Sequence, residues 1–224
     1  MNSQERFFVK TLLSWFNENK REFPWRVNGK TNPYHILVAE LMLKKTRADN
    51  ASAVYTKFIE LFPTPDSILN TSDADMESIL RPLGLIKQRK KAFFSIFSKI
   101  MEIYGGKIPS QKKDLHELPY VGDYTVNAVL CFGFNKKVPI VDVNVTRICQ
   151  RFFGLEAYGD PRIDTHIWEL LDRIIPRNRF KEFNLALLDF GALVCKSKKP
   201  ECELCTLREN CLTGSEKLIR KFFS

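Results

Sequence analysis

Apolar residues recur at helical spacing along almost the whole chain. The pattern is clearest over residues 4–18, 34–46, 48–62, 86–104, 124–134, 143–153, 164–175 and 180–194. Short stretches with proline or glycine separate these segments. Residues 138–141 have an extended pattern, but they include Pro139, which argues against a central strand. The pattern therefore predicts an all-α fold.

Composition narrows the class of protein. With 44% hydrophobic and 12% aromatic residues among 224, the chain can bury a core and is not expected to be disordered. No apolar run approaches the roughly 20 residues of a membrane span, and residues 1–10 do not resemble a signal peptide. We therefore expect an intracellular protein with no membrane partner, cytoplasmic and nucleoid-associated if prokaryotic. The net charge of +9 favours a polyanion such as nucleic acid, although proteins that bind anionic lipids share this excess.

The cysteines fall into two groups. Cys131 and Cys149 lie singly in apolar helical patterns and are expected to be buried. The other four follow the last predicted helix with the spacing C-x6-C-x2-C-x5-C: Cys195, Cys202, Cys205 and Cys211. In a reducing compartment this clustering indicates metal binding rather than disulfides. One close pair flanked by longer loops favours an iron–sulfur cluster, and zinc is the alternative.

A second motif predicts a helical hairpin at residues 115–125. Pro119 ends one element, Gly122 permits a turn, and an apolar helix begins near Tyr124. A helix that opens after such a turn directs backbone N–H groups outwards and can hold a DNA phosphate without reading the sequence. An ordinary connection between helices has the same pattern, so the motif alone leaves both interpretations open.

A third motif places one carboxylate where extended chain becomes helix. Asp142 is the only acidic residue between Asp123 and Glu156, and it directly precedes the helical pattern of residues 143–153. Aspartate is a favoured N-cap, so capping is the simplest role. A catalytic role is compatible with capping.

In this order the three motifs resemble the endonuclease III and adenine glycosylase superfamily of helix-hairpin-helix DNA glycosylases. The resemblance extends from Phe23 to Cys211 and is carried by LPxVGxYT, VPIVDVNVTR and the cysteine spacing. It implies an endonuclease III-like fold: a six-helix barrel lobe of residues 26–137, with the helix-hairpin-helix at about 112–134, and a cluster lobe of residues 1–25 and 138–224. It also implies one 4Fe-4S cluster held by the four clustered cysteines. The implied partner is double-stranded DNA with a mismatched or damaged base, bound near Asp142, and we expect a monomer.

The hairpin departs from the family pattern at one position. Family members usually have LPGVG, whereas Tyr120 replaces the first glycine here. The freedom of glycine at positive φ is expected to be lost at this residue.

The resemblance also implies a mechanism. Bifunctional members have a lysine that forms a Schiff base at the position of Tyr124, so this chain is expected to hydrolyse the glycosidic bond without efficient strand cleavage. Asp142 would stabilise the oxocarbenium-like charge on the sugar, supported by Asn144. Glu40 is the sole charge in the run from Ile36 to Leu43, which indicates either an ion pair or a base-pocket residue, and the resemblance favours the latter.

Enzymes of this kind flip the target nucleotide out of the duplex and fill the gap. The family wedge positions correspond to Lys45 and Leu85, whose ordinary roles would be a solvated helix end and a core leucine. The remaining candidate DNA contacts are Arg47, Pro119, Val121, Gly122 and Thr125.

Two groups within the family predict different substrates for this chain. They are the adenine glycosylases and the archaeal-type mismatch glycosylases that remove thymine or uracil opposite guanine. Adenine glycosylases tend to have valine at the position of Ala48 and glutamine at that of Leu185. An amide can bond an adenine edge, whereas leucine cannot. They also typically continue into a further domain, whereas this chain stops soon after Cys211. These differences favour a mismatch thymine glycosylase, with the adenine enzyme and a non-catalytic, metal-stabilised DNA-binding protein as alternatives.

Overall fold

The structure is a computed structural model that describes residues 1–26, 32–156 and 165–214. Within these ranges all regular secondary structure is helical and no strand forms, which confirms the predicted all-α class. The chain divides into two compact units. The discontinuous unit comprises Met1–Arg21 and Lys137–Ser224, and the central unit comprises Glu22–Lys136.

The α-helices of the described ranges follow in chain order: α1 (Ser3–Asn19), α2 (Pro33–Leu43), α3 (Ala48–Leu61), α4 (Pro65–Leu69), α5 (Asp73–Leu80), α6 (Ile86–Tyr104), α7 (Lys112–His116), α8 (Asp123–Ala128), α9 (Val143–Phe153), α10 (Thr165–Ile174) and α11 (Phe180–Leu193). Three-residue 3-10 turns lie at Pro24–Arg26, Arg81–Leu83 and Arg208–Asn210. None of the described helices is long and apolar enough to cross a membrane.

Several predicted helix bounds were wrong. Helix α2 ends at Leu43 rather than at residue 46, because Lys45 takes a left-handed conformation that a helix cannot contain. The predicted helix 124–134 is α8 followed by a π turn, Val129–Gly133. Two short helices, α4 and α5, were not predicted, since five to eight residues are too few to establish a periodic apolar pattern. Helix α7 is the first helix of the predicted hairpin.

Aromatic packing builds the core of the discontinuous unit. Helix α1 packs along α11, and Phe8 contacts the rings of Phe152, Phe153 and Phe183 at centroid distances of 4.7, 4.9 and 6.3 Å. Buried Asp189 on α11 accepts hydrogen bonds from the Arg21 Nε (2.7 Å) and backbone N–H (3.0 Å). The start of the chain is thereby fixed to its C-terminal third.

The central unit has its own aromatic core. The Phe93 ring lies 5.0 Å from that of Phe58 and 6.0 Å from that of Phe97, and all three side chains are fully buried. The π turn packs directly against the start of α2, since a Cβ on Gly133 would lie 2.9 Å from the Cα of Pro33. This close approach explains a glycine at that position.

Residues 138–141, for which the sequence predicts extended chain, form no regular secondary structure, and their backbone pairs with a side chain. The buried amide of Asn184 accepts from the Ile140 N–H (3.0 Å) and donates to the Val138 carbonyl (3.0 Å). This pair of bonds satisfies the backbone of the extended segment and fixes its path into α9.

Candidate active site

Asp142 is the N-cap of α9. Its Oδ1 accepts from the N–H groups of Asn144 (2.9 Å) and Val145 (2.8 Å), and its Oδ2 accepts from the Asn144 side-chain amide (2.7 Å). The carboxylate is half-buried. The capping role is therefore observed directly, and three N–H donors hold the carboxylate in one orientation.

Asn144 connects this carboxylate to a second helix. Its side-chain oxygen accepts from Arg147 Nη2 (2.9 Å), which also donates to the Gly191 carbonyl (3.0 Å), while Arg147 Nε donates to the Cys195 carbonyl (2.9 Å). A continuous set of hydrogen bonds thus runs from Asp142 through Asn144 and Arg147 to the end of α11. Sequence reasoning missed Arg147, although it belongs to the VPIVDVNVTR motif.

Gly191 allows α9 and α11 to approach closely. A Cβ there would lie 2.9 Å from the Cβ of Asn144 and 3.3 Å from the Cδ1 of Ile148. Sequence reasoning also missed this glycine, since nothing in the helical pattern of residues 180–194 distinguishes it. On the same helix, Leu185 is half-buried at the edge of the core, next to Asn184.

The four clustered cysteines influence one another. Burial, together with the nearby thiols of Cys211, Cys195 and Cys202, raises the pKa of Cys205 to about 11, against one backbone hydrogen bond that lowers it. Burial likewise raises the pKa of Cys211, with contributions from Cys195 and Cys202. The fold has therefore gathered all four sulfurs into one region. In the described ranges, no three His, Cys, Asp or Glu side chains are grouped at distances that suit a metal ion.

Helix α9 also holds the cysteine loop. Arg151 Nη1 lies 3.5 Å from Cys195 Sγ and donates to the Lys196 carbonyl (2.7 Å), and Nη2 donates to the Ser197 carbonyl (2.9 Å). At the other end of the loop, the Gly214 N–H lies 3.4 Å from Cys211 Sγ. N–H groups directed at sulfur are a usual feature of iron–sulfur ligation.

Cys131 and Cys149 are fully buried, as predicted. Cys131 lies in the π turn rather than in a regular helix.

In the central unit, Glu40 is buried on α2, at 7% exposure, one turn before Lys44. Burial lowers the pKa of Lys44, the charge of Glu40 raises it, and that of Arg89 lowers it. The Lys44 ammonium donates to the carbonyl of Tyr120. Helix α2 is therefore connected to the predicted hairpin.

Arg89 is a buried guanidinium that binds backbone carbonyls from two loops. Its Nη1 donates to the carbonyls of Leu41 (2.5 Å) and Met42 (3.1 Å). The remaining acceptors are the Lys44 carbonyl (3.2 Å), Thr46 Oγ1 (2.9 Å), the Leu83 carbonyl (3.3 Å) and the Gly84 carbonyl (3.4 Å). The loop after α2 and the loop before α6 thus share one cross-link, which the sequence pattern did not reveal.

The two predicted wedge residues lie on these loops. Lys45 (φ 53°) and Leu85 (φ 51°) both have left-handed backbone and are exposed, Leu85 at 45%. Lys45 follows the end of α2 and is solvent-exposed, so a solvated helix end remains compatible with the structure, whereas Leu85 is not a core residue. Arg47 is exposed, and its Nη2 lies 3.8 Å from Asp49 Oδ2. Ala48 is the first residue of α3 and is half-buried.

The hairpin corrects the expectation for Tyr120. This residue keeps a positive φ of 61° although it is not glycine, whereas Gly122 has φ −107°, which any residue adopts. The turn therefore keeps a positive φ at this position, at a cost of roughly 1–2 kcal/mol. Tyr120 is 48% exposed.

The other predicted hairpin residues differ in accessibility. Pro119 and Tyr124 are half-buried and Gly122 is exposed, whereas the side chains of Val121 and Thr125 are buried. The Val121 N–H donates to the Leu118 carbonyl (3.4 Å).

Comparison with known proteins shows the family of this chain. Residues 38–173 match the family model for the HhH-GPD superfamily of base excision DNA repair proteins. The chain belongs to that superfamily. Among HhH-GPD relatives, a thymine/uracil-DNA glycosylase of Methanothermobacter thermautotrophicus is 34% identical over 94% of both chains. An adenine DNA glycosylase of Buchnera aphidicola subsp. Acyrthosiphon pisum is 31% identical over 96% of this chain and 61% of its own length.

Comparison with solved structures agrees with this family. The structure of a thermostable thymine-DNA glycosylase matches 96% of this chain and 98% of its own with a TM-score of 0.88 at 33% identity. A trapped endonuclease III–DNA covalent intermediate matches 97% of this chain and 100% of its own with a TM-score of 0.83 at 22% identity. The described part of this HhH-GPD chain therefore has the endonuclease III-like fold that the motifs predicted.

The contact at Gly191 gives a stability prediction. Gly191→Ala places a methyl group against Asn144 and Ile148, and we expect it to lower the free energy of unfolding by about 1–3 kcal/mol. Gly122→Ala is the matched control, because no atom lies within 4 Å of its Cβ position and its φ is negative, so its stability should be unchanged or slightly raised. Chemical denaturation of both variants measures this, and equal stabilities would contradict the close packing.

Proposed function

We propose that this protein is a monofunctional DNA glycosylase that hydrolyses the N-glycosidic bond of thymine or uracil mispaired with guanine in double-stranded DNA. The observation that carries the proposal is the 34% identity to a thymine/uracil-DNA glycosylase along 94% of both chains. The fold likeness to a thymine-DNA glycosylase at 33% identity supports it.

Asp142 is the proposed catalytic carboxylate. Departure of the base leaves oxocarbenium-like charge on the deoxyribose, and a fixed carboxylate stabilises that charge and can orient water. The three N–H donors on Asp142 support this role, because they prevent the carboxylate from turning during the reaction. Asn144 is the proposed positioning residue, since it donates to Asp142 and is itself held by Arg147.

Glu40 and Tyr124 complete the proposed chemistry. Glu40 is a buried carboxylate on an otherwise apolar helix, and we assign it to the leaving base. Tyr124 offers no amine, so no Schiff base forms at that position and the product is an abasic site in an intact strand.

The proposed DNA contacts lie on the central unit. Lys45 and Leu85 would fill the space that the flipped nucleotide leaves, with Arg47 beside them, and the hairpin residues Pro119, Val121, Gly122 and Thr125 would approach the backbone. Val121 and Thr125 have buried side chains, so their part in binding is limited to main-chain groups.

We also propose that Cys195, Cys202, Cys205 and Cys211 hold one 4Fe-4S cluster, so that the discontinuous unit is the cluster lobe and the central unit is the six-helix barrel lobe. The donor set fits this group: the thiols of Cys195 and Cys202 lie close enough to raise the pKa of Cys205 and Cys211, and Arg151 and Gly214 N–H groups lie near two of the sulfurs. When bound, such a cluster would stabilise the loop that follows α11.

The substrate proposal predicts an order of base release. Under single-turnover conditions the protein should release thymine and uracil opposite guanine faster than adenine opposite guanine or oxidised guanine, because Leu185 offers no hydrogen bond to an adenine edge. The product strand should stay intact until alkali is added. The double variant Ala48→Val with Leu185→Gln should shift the balance towards adenine.

Each alternative function has its own outcome in the same assay. A preference for adenine opposite oxidised guanine would establish the adenine glycosylase instead. Duplex binding without release of any base would establish a non-catalytic DNA-binding protein. Strand cleavage without alkali would contradict the monofunctional assignment.

Asp142→Asn tests the catalytic carboxylate. Asparagine caps helices as well as aspartate does, so the variant should fold and bind duplex DNA normally. It should release base at least about 100-fold more slowly, because the charge opposing the oxocarbenium is lost. Asp172→Asn, an exposed residue of α10, is the control for a lost charge. If Asp142→Asn retains activity within a fewfold of wild type, Asp142 is only a cap.

The cluster predicts a metal content. Purified protein should be yellow-brown with about four iron and four sulfide per chain. Cys205→Ser should lower the iron content and the stability of the discontinuous unit, whereas Cys131→Ala, in the core of the central unit, should leave the iron in place. A colourless, folded protein with stoichiometric zinc would overturn the cluster assignment.

A further inference from the structure

Four exposed residues of the central unit that are not glycine have left-handed backbone: Lys45, Leu85, Tyr120 and Asn135. Lys45, Leu85 and Tyr120 have φ values of 53°, 51° and 61°, in a region that favours glycine. Sparsely populated backbone conformations concentrate at binding and catalytic positions, where the surrounding structure imposes them. Lys45 and Leu85 already belong to the proposed DNA contacts, whereas the side chain of Tyr120 has no assigned role.

Hydrogen bonds through Arg89 and Lys44 link the backbone around Lys45, Leu85 and Tyr120. Arg89 binds the carbonyl of Lys44 and the Oγ1 of Thr46, on either side of Lys45, and the carbonyls of Leu83 and Gly84, just before Leu85. Lys44 in turn donates its ammonium to the Tyr120 carbonyl. The position of Tyr120 is therefore fixed relative to both wedge candidates.

The chemistry of this assembly suits an exposed nucleobase. Tyr120 presents an aromatic ring at 48% exposure, and the cationic side chains nearest to it along the network are Lys44 and Lys45. Aromatic rings interleaved with basic residues bind unpaired nucleotides by stacking combined with attraction to the phosphates. A glycine at position 120 would relieve the backbone strain but would remove the ring.

We propose that the Tyr120 ring is a third DNA-contacting group that stacks on a base exposed where the duplex is opened, and that Arg89 and Lys44 are positioning residues that hold it with Lys45 and Leu85. The inference rests on the proposed function, because it takes a duplex with one displaced nucleotide as the ligand.

The experiment compares variants that relieve the same strain. Tyr120→Gly and Tyr120→Asn remove the ring and tolerate a positive φ, whereas Tyr120→Phe keeps the ring. Asn135→Gly is the matched control, an exposed residue of the same unit with φ 56° and no proposed contact. Fluorescence anisotropy measures the Kd for a duplex with a tetrahydrofuran abasic analogue opposite guanine, at several salt concentrations, and thermal denaturation measures Tm.

We expect Tyr120→Gly to weaken binding about tenfold, as the loss of one stacked base implies, while its Tm rises by about 1–3 °C. Tyr120→Asn should weaken binding similarly, and Tyr120→Phe and Asn135→Gly should bind as wild type. The slope of log affinity against log salt should not change in the Tyr120 variants, because tyrosine neutralises no phosphate.

Tyr120→Gly and Tyr120→Asn binding within twofold of wild type would overturn the inference. If Tyr120→Gly folds poorly, Tyr120→Asn and Tyr120→Phe decide the result between them. The proposed function fails separately: a wild type that binds the abasic duplex but releases neither thymine nor uracil would refute the glycosylase assignment and leave the Tyr120 comparison valid.

Discussion

The capping of α9 by Asp142 is the interaction on which the candidate active site depends. A helix leaves its first N–H groups without partners, and the carboxylate satisfies two of them with Oδ1 while Oδ2 takes the amide of Asn144. The negative charge is also favourable at the positive end of the helix dipole. Asp142 therefore marks the start of α9, and the same hydrogen bonds fix the orientation of its carboxylate.

Two arginine side chains, half-buried Arg147 and buried Arg89, fix the backbone around them in the same way, each within its own unit. Arg147 binds the carbonyls of Gly191 and Cys195 together with the side chain of Asn144. Arg89 binds five carbonyls and a hydroxyl at the end of α2 and on the loops that carry Lys45 and Leu85. A planar guanidinium offers five N–H donors in fixed directions, so it can satisfy several backbone acceptors at once. Lysine would reach fewer of them, with less defined geometry.

The sequence predicted the helical class, most of the long helices and the cysteine clustering, because each depends on local spacing. The capping role of Asp142 was also predicted from its neighbours in the sequence. The left-handed conformation of Tyr120 was not, since its backbone is imposed by contacts such as the Lys44 bond rather than by its own preference. Arg89, Arg147, Asn184 and Gly191 were missed for a related reason. Each contacts a partner more than 40 residues away in the chain, and none stands out in a periodic pattern.

The pairing of Arg21 with Asp189 joins residues 168 positions apart. Helix α1 is synthesised well before α11, the helix against which it packs, is made. The central unit is contiguous and is complete in sequence well before then, so it can fold while α1 still lacks its partner. Until α11 is released, the apolar face of α1 lacks the helix that covers it in the folded protein.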